Sequence, residues 1–105
     1  MVASASFRFL GLSDDQADEL SSIIEAAEFG QHHATGKTVG FIELSDSSKI
    51  EVIREFAVRH KFESTDCDIF ISIASEKRDE IWRAPRAVNN MLKQFDCPIV
   101  FSYTC

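Results

Sequence analysis

Two short hydrophobic runs, thirty residues apart, stand out in the pattern of apolar and polar positions along the chain. Residues 66–72 read Asp-Cys-Asp-Ile-Phe-Ile-Ser, and residues 96–102 read Asp-Cys-Pro-Ile-Val-Phe-Ser. Both runs are rich in β-branched and aromatic residues and are bounded by polar ones, which is typical of buried strands. An amphipathic helical pattern lies between them. The segment therefore predicts a strand, a helical crossover and a second strand parallel to the first.

The N-terminal part of the chain predicts a strand followed by a helix. Hydrophobic residues alternate with polar ones over residues 7–10, and Gly11 ends this run. Ser13 and Gln16 then have the spacing of a capping box. Apolar residues recur at helical spacing after it, and the predicted helix ends near Gly30. Its apolar face consists of Ala17, Leu20, Ile23, Ile24 and Ala27.

A β-hairpin is predicted next. Residues 39–44 have the composition of a strand, and Thr35 and Gly36 form a plausible turn before it. Residues 29–34 are then the antiparallel partner strand. Gly40 lies inside the second strand, which indicates a bulge or a close backbone contact there.

Two further helices complete the predicted elements. One begins at a second capping box, formed by Ser48 and Glu51, and runs to about Lys61. The other has Pro85 at its first position, where the missing N–H group carries no penalty. The predicted core faces of these helices are Ile50, Ile53, Phe56, Ala57 and Val58 for the first, and Val88, Met91, Leu92 and Phe95 for the second.

Together these elements predict a single α/β (α+β) domain over residues 1–105. Its architecture is a sandwich of a four- or five-stranded sheet and three helices, with a ferredoxin-like arrangement as the nearest relative. A chain of 105 residues is long enough for one modest core. The residues expected to be buried are Phe9, Ile23, Ile69, Ile71, Val88, Leu92, Ile99 and Phe101.

The negative charge of the chain is concentrated in one segment. Residues 9–36 contain six acidic residues and no Lys or Arg, whereas the rest holds eleven acidic and eleven basic residues. Such a block repels nucleic-acid phosphates and membrane surfaces and favours a basic protein partner. The alternative is a solvated face that only maintains solubility. The six candidate binding residues are Asp14, Asp15, Asp18, Glu19, Glu25 and Glu28.

Trp82 and Arg83 are two further candidates for partner binding. They lie in the charged connection between the first hydrophobic run, residues 66–72, and Pro85. Trp and Arg are favoured anchors in protein interfaces. The alternative is that Ile81 and Trp82 fold back to cover the core.

The sequence offers little support for catalysis or metal binding. Cys67, Cys97 and Cys105 are odd in number and lack Cys-x-x-Cys spacing, which argues against a disulfide framework and a zinc site. We expect the first two to be buried thiols and the last to be exposed.

His32 and His33 point to opposite faces of a strand, so they cannot easily chelate one metal. Phosphate-binding glycine loops and serine nucleophile motifs are missing. We therefore expect no enzymatic activity, no metal and no cofactor.

No apolar run approaches the roughly 20 residues that a membrane span requires. Residues 1–6 lack both a basic region and a long apolar stretch, so they do not have the pattern of a secretory signal. These features predict a cytoplasmic protein that does not associate with membranes.

In size, acidity and α/β composition the chain resembles the immunity proteins of bacterial toxin systems. The resemblance implies a protein, acting as a monomer or homodimer, that neutralises a cognate toxin. Many such toxins are nucleases with basic active sites. An alternative is a small ligand-sensing or regulatory domain of ferredoxin-like type, acting as a dimer through a sheet edge or a helix face. A small-molecule enzyme is the third possibility.

Overall fold

The computed structural model describes residues 1–77, 79 and 81–104. These residues form three helices and a five-stranded mixed sheet, which confirms the predicted α+β sandwich. A short 3₁₀ turn, Ser64–Asp66, precedes the fourth strand. In chain order the elements are β1 (Val2–Leu12), α1 (Asp14–Ile23), β2 (Glu28–Gln31), β3 (Thr38–Glu43), α2 (Ile50–Arg59), β4 (Cys67–Ala74), α3 (Arg86–Gln94) and β5 (Ile99–Thr104).

The strands lie in the order β2-β3-β1-β4-β5. Neighbouring strands are antiparallel except β4 and β5, which are parallel, with Ile69 beside Ile99 and Ile71 beside Phe101. The predicted strand, crossover and parallel strand are therefore confirmed, with α3 in the crossover. Elements β1 to β4 follow the β-α-β-β-α-β order of ferredoxin-like domains. Because α3 and β5 extend beyond that order, a ferredoxin-like arrangement of the whole chain stays a prediction.

One face of the sheet carries the hydrophobic core. On β1 the alternate residues Ala5, Phe7 and Phe9 are buried, whereas the residues between them are only partly buried. The buried ones form a single cluster with apolar residues of all three helices, so the helices cover this face. The Phe9 ring lies 5.0 Å from that of Phe7 and 5.2 Å from that of Phe56, both edge to face. This geometry stabilises aromatic pairs beyond the effect of area burial.

The opposite face of the sheet carries an ion pair between β1 and β4. Arg8 donates from Nε and Nη2 to the two carboxylate oxygens of Asp68, at 2.7 and 2.6 Å. The guanidinium group also lies 4.4 Å from the centroid of the Phe70 ring. The Asp68 side chain is only 5% exposed and that of Arg8 is 22% exposed. A bidentate, largely desolvated pair of this kind is strongly directional.

The first helix is shorter than its apolar spacing predicts. α1 ends at Ile23, and Ile24 already has extended backbone angles. The prediction that it reaches Gly30 is wrong, because residues 28–31 form hydrogen bonds with β3 instead. As a consequence Ile23, which was expected in the core, is 43% exposed, whereas Ile24 is buried.

β2 and β3 form the predicted hairpin, but β2 ends at Gln31 rather than at residue 34, so His32 and His33 lie in the loop. The N–H of His32 donates to the carbonyl of Lys37 at 2.9 Å, and the N–H of Gly36 donates to that of His32 at 2.8 Å. Gly36 has a φ of 69°, a conformation that favours glycine. The register of β1 against β3 shifts opposite Gly40, which agrees with the predicted bulge. The close contact at this glycine is with a side chain rather than the backbone, because a Cβ atom there would lie 2.9 Å from Cδ1 of Leu12.

Three other residues predicted to be buried are exposed. Val58 on α2 is 61% exposed, and Ile99 and Phe101 on β5 are 39% and 69% exposed. The prediction was wrong for β5 because this strand lies at the edge of the sheet, where one side has no neighbouring strand. The remaining predictions are confirmed, with Leu92 partly buried against the core and the others buried: Phe9, Ile69, Ile71 and Val88.

The predicted capping box of the second helix does not form. α2 begins at Ile50, with Lys49 at the cap position and no side-chain capping bond. The N–H of Ser48 donates instead to the Asp46 carboxylate at 2.9 Å. Asp and Ser side chains readily form such local turns, which compete with helix capping.

Candidate functional site

Three exposed acidic side chains cluster at the N-terminal end of α1: Asp14, Asp15 and Asp18. The predicted capping box is confirmed, because the N–H of Gln16 donates to Ser13 Oγ at 3.1 Å and the N–H of Ser13 donates to Gln16 Oε1 at 2.9 Å. The partial positive charge at a helix N-terminus stabilises carboxylates in the first turn. Asp18 follows Asp15 by three residues and Asp14 by four. It therefore lies on the same side of the helix as both.

Glu19, on the same helix, binds α2. Both the Arg59 guanidinium group and His60 Nε2 contact its Oε2 atom, the latter at 3.0 Å. The hydrogen bond from His60, followed by that from Arg59, holds the pKa of Glu19 below its ordinary value. Glu19 therefore joins α1 to the end of α2 through these contacts.

We expect Glu19→Gln to lower the thermal midpoint of unfolding slightly at neutral pH, since exposed ion pairs contribute little. Because the folded-state pKa is depressed, this contribution is present above the ordinary Glu pKa of about 4.3 and is lost as the pH falls through the folded value. The difference from the wild-type protein should therefore shrink as the pH is lowered from neutral into the acidic range. Circular dichroism melts at neutral and acidic pH measure it, with Asp18→Asn, an exposed residue beyond the first turn of the same helix, as the control. An equal reduction of the thermal midpoint at neutral and acidic pH would contradict this role of Glu19.

Glu25 and Glu28 are exposed but do not lie on the helix as predicted. Glu25 follows the end of α1, in the turn that leads to β2. Glu28 lies on β2 opposite Phe41, and its neighbour Phe29 points to the other face of the sheet. The predicted acidic block is thus divided between the start of α1 and the β2 edge, with Glu19 separately paired to α2.

Two apolar side chains are exposed in the same segment. Ile23 is 43% exposed and Phe29 is 38% exposed. A Cβ atom at Gly40 would lie 3.1 Å from Leu20 and 3.6 Å from Phe29, so Phe29 lies beside α1. Ile23 follows Leu20 by one helical turn. Exposed apolar and acidic side chains therefore occur in the same segment, with Glu28 and Phe29 on opposite faces of the sheet at the β2 edge. We refer to this set as the α1–β2 surface: Asp14, Asp15, Asp18, Ile23, Glu25, Glu28 and Phe29.

The structure does not bring Trp82 and Arg83 to the α1–β2 surface. They lie in the connection between β4 and α3, whereas β2 is the strand at the opposite edge of the sheet. Trp82 is partly buried and packs against the core. This agrees with the alternative expectation that Trp82 folds back to cover the core. Arg83 is exposed. Ile81 does not fold back in the same way, since it is 94% exposed.

The two described cysteines belong to the hydrophobic core. Cys67 and Cys97 are buried, and burial raises the pKa of both thiols, that of Cys97 to about 11. Cys105 lies outside the described residues. A cleft of about 410 Å³ is lined by His32 and His60 among others, and the described part of its lining contains no cysteine. Over residues 1–77, 79 and 81–104, no group of three or more His, Cys, Asp or Glu side chains is placed to hold a metal ion.

No protein-family model, curated protein or solved structure matches this chain. Within the part of the chain that the structure describes, the helices are too short or too polar to cross a membrane.

Proposed function

We propose that the chain is a non-enzymatic binding protein that neutralises a basic partner protein. In its most specific form, the proposal is an immunity protein that inhibits a cognate bacterial toxin of the nuclease type. The observation that carries it is the α1–β2 surface, which exposes both acidic and apolar side chains. A nuclease active site is basic because it binds phosphate groups. An acidic surface is therefore complementary to it.

The acidic side chains of α1 are positioned to attract such a partner over a distance. Among the described residues, the ion pairs involve Arg8 with Asp68, and Glu19 with Arg59 and His60. Asp14, Asp15 and Asp18 belong to none of these pairs and face solvent. Exposed charges of one sign accelerate the encounter with an oppositely charged protein.

The apolar side chains of the same surface supply short-range attraction. Ile23 and Phe29 each expose more than a third of their surface. In protein interfaces, apolar and aromatic side chains occupy the desolvated centre and polar side chains form the rim. Such central residues chiefly slow dissociation, whereas charges at the rim chiefly speed association. The α1–β2 surface contains both kinds of residue.

Two triple variants with the same net charge test the proposal. The first replaces Asp14, Asp15 and Asp18 by Lys. The second, a matched control, replaces the exposed residues Glu51, Glu55 and Glu76 by Lys. Glu51 lies in the first turn of α2, so both variants place a lysine at a helix N-terminus.

Each protein is immobilised and exposed to a lysate of the organism that encodes it, and the bound proteins are identified by mass spectrometry. We expect the wild-type protein and the control to retain the same basic protein. The variant with Lys at positions 14, 15 and 18, which we call the α1 variant, should lose it. Retention by all three would contradict the assignment of the binding surface. The purified partner is then assayed for nuclease activity with and without the wild-type chain. A partner without nuclease activity would contradict the specific form of the proposal.

A further inference from the structure

β5, at the end of the sheet opposite to β2, exposes apolar side chains and contains no charged residue within Ile99–Thr104. Phe101 is 69% exposed, and Ile99 and Val100 are each 39% exposed. Residues 99–104 include no Asp, Glu, Lys or Arg. The strand pairs regularly with β4 over six consecutive residues, without a bulge. Edge strands are normally protected from further pairing by charges, prolines or bulges. β5 has none of these within its length.

The backbone groups of β5 that point away from β4 belong to alternate residues. The carbonyl of Pro98 accepts a hydrogen bond from the N–H of Ile69, and that of Thr104 accepts one from the N–H of Ser75, both at 2.9 Å. In a parallel ladder the even-numbered residues of β5 therefore bond to β4. Ile99 and Phe101 direct their N–H and carbonyl groups towards the open edge.

We propose that this edge pairs with β5 of a second copy of the chain, in an antiparallel ladder centred on Phe101. Opposite residues in an antiparallel pair share one face of the sheet. Under two-fold symmetry, each residue also points to the same face of the sheet in both copies. One residue of β5 must therefore lie opposite the same residue of the second copy. With Phe101 at the centre, Ile99 lies opposite Tyr103 of the second copy. The two sheets then form one ten-stranded sheet, with the helices of both copies on the same face.

The register centred on Phe101 places two aromatic side chains at the symmetry axis. It brings Phe101 opposite Phe101, and aromatic pairs of this kind stabilise antiparallel strands. It also places the outward-facing backbone groups of both copies against each other. A register centred on Ser102 would place two serine side chains at the axis instead, and one centred on Val100 would leave residues 102–104 without partners in the other β5.

Charge favours this edge over the opposite one for contact between identical chains. Each copy has a net charge of −6, and like-charged chains repel each other. Pairing through β5 keeps the acidic α1–β2 surfaces at the two far ends of the joined sheet, since β2 is the other terminal strand. Both acidic surfaces then remain accessible to partners.

The size of the contact predicts a reversible dimer. Fully buried aromatic side chains cover about 150–250 Å² each, so Phe101 at 69% exposure leaves roughly 140 Å² in water. A junction of two such strands lies at the small end of specific interfaces, which begin at about 1,200 Å² of total buried area. We therefore expect a dimer that dissociates on dilution.

Sedimentation equilibrium from low micromolar to several hundred micromolar protein tests the dimer without any partner protein. Phe101→Lys should weaken association about tenfold or more, because it places a charge at the centre of the ladder. Val58→Lys is the matched control at a similarly exposed apolar site on α2. Phe29→Lys tests the opposite edge of the sheet. The Val58→Lys and Phe29→Lys variants should both dimerise as the wild-type protein does. A wild-type protein that stays monomeric, or a Phe101→Lys variant that dimerises as tightly as the wild-type protein, would overturn the proposal.

The register is tested by cross-linking in a Cys105→Ser background, in which Cys67 and Cys97 are buried. Hydrogen-bonded antiparallel residues lie about 5.5 Å apart between Cα atoms, a distance that suits a disulfide. Under an added thiol oxidant, Phe101→Cys should form a covalent dimer faster than Ser102→Cys. Faster cross-linking at position 102 would contradict the register. Failure of either dimer experiment would leave the proposed partner binding untouched, because the two surfaces lie at opposite edges of the sheet.

Discussion

Ile71→Ala is expected to lower the free energy of unfolding by about 2–5 kcal/mol, because it removes buried methyl groups and leaves a cavity. Ile71 is 3% exposed and belongs to the cluster that joins the sheet to all three helices. On β4 it lies between Ala5 of β1 and Phe101 of β5. Since a domain is stable by only about 5–15 kcal/mol, this loss is a large part of the total.

The matched control is Ile81→Ala, which makes the same chemical change at a site that is 94% exposed. Its effect should stay within about 0.5 kcal/mol, as for most surface substitutions. Chemical denaturation of both variants and the wild-type protein gives the comparison. Similar losses at the two positions would contradict the placement of the core on this face of the sheet.

Arg8→Met is expected to have the second large effect, a loss of about 3 kcal/mol. It removes both hydrogen bonds to Asp68 and leaves that carboxylate, 5% exposed, without its charged partner. Breaking a buried ion pair by removing one partner costs about 3–5 kcal/mol. We expect the lower end of this range because the Arg8 side chain is 22% exposed and water can reach it.

The double variant Arg8→Met with Asp68→Leu separates the unpaired charge from other causes. Replacement of a whole buried pair by apolar residues is often neutral or stabilising. The double variant should therefore recover most of the loss seen in Arg8→Met, and denaturation of all four proteins completes a double-mutant cycle. Arg59→Met, which breaks the exposed pair with Glu19, is the control and should cost much less. A double variant as unstable as Arg8→Met would show that the ion pair is not the cause.

Most features that depend on neighbouring residues could be predicted from the sequence, although the capping box at Ser48 did not form. The capping box at Ser13 formed because Gln16 is close along the chain. The hairpin formed because Gly36 permits the tight loop between two strand-like segments. The parallel pair β4 and β5 followed from two similar apolar runs joined by a helix, an arrangement with few alternative topologies.

Features that depend on strand order could not be predicted in the same way. The periodic pattern marks Ile99 and Phe101 as apolar but does not tell that β5 lies at an edge. The end of α1 was misplaced because pairing with β3 overrides the helical spacing of residues 24–27. The pair of Arg8 and Asp68 joins residues sixty positions apart, and only the register of β1 with β4 places them together.

The candidate site was predicted in part. Its acidic residues were evident from the distribution of charge, but their division between α1 and the β2 edge required the fold. The exposed apolar residues Ile23 and Phe29 were missed, because apolar residues at helical or strand spacing are usually buried. A strand-like stretch close behind a helical one, at residues 28–31, was the signal that the helix ends early.

The association rate constant of the captured partner, measured at low and high ionic strength, tests the role of the acidic surface most directly. Replacement of Asp14, Asp15 and Asp18 by Lys should slow association about tenfold or more at low salt, because it reverses the local field. The difference should shrink at 1 M salt, where the Debye length is about 3 Å. Dissociation should change less, and the Glu51, Glu55 and Glu76 control should keep an association rate much closer to that of the wild-type protein. Equal association rates for the α1 variant and the wild-type protein at low salt would contradict the proposal and leave these residues as a solvated face.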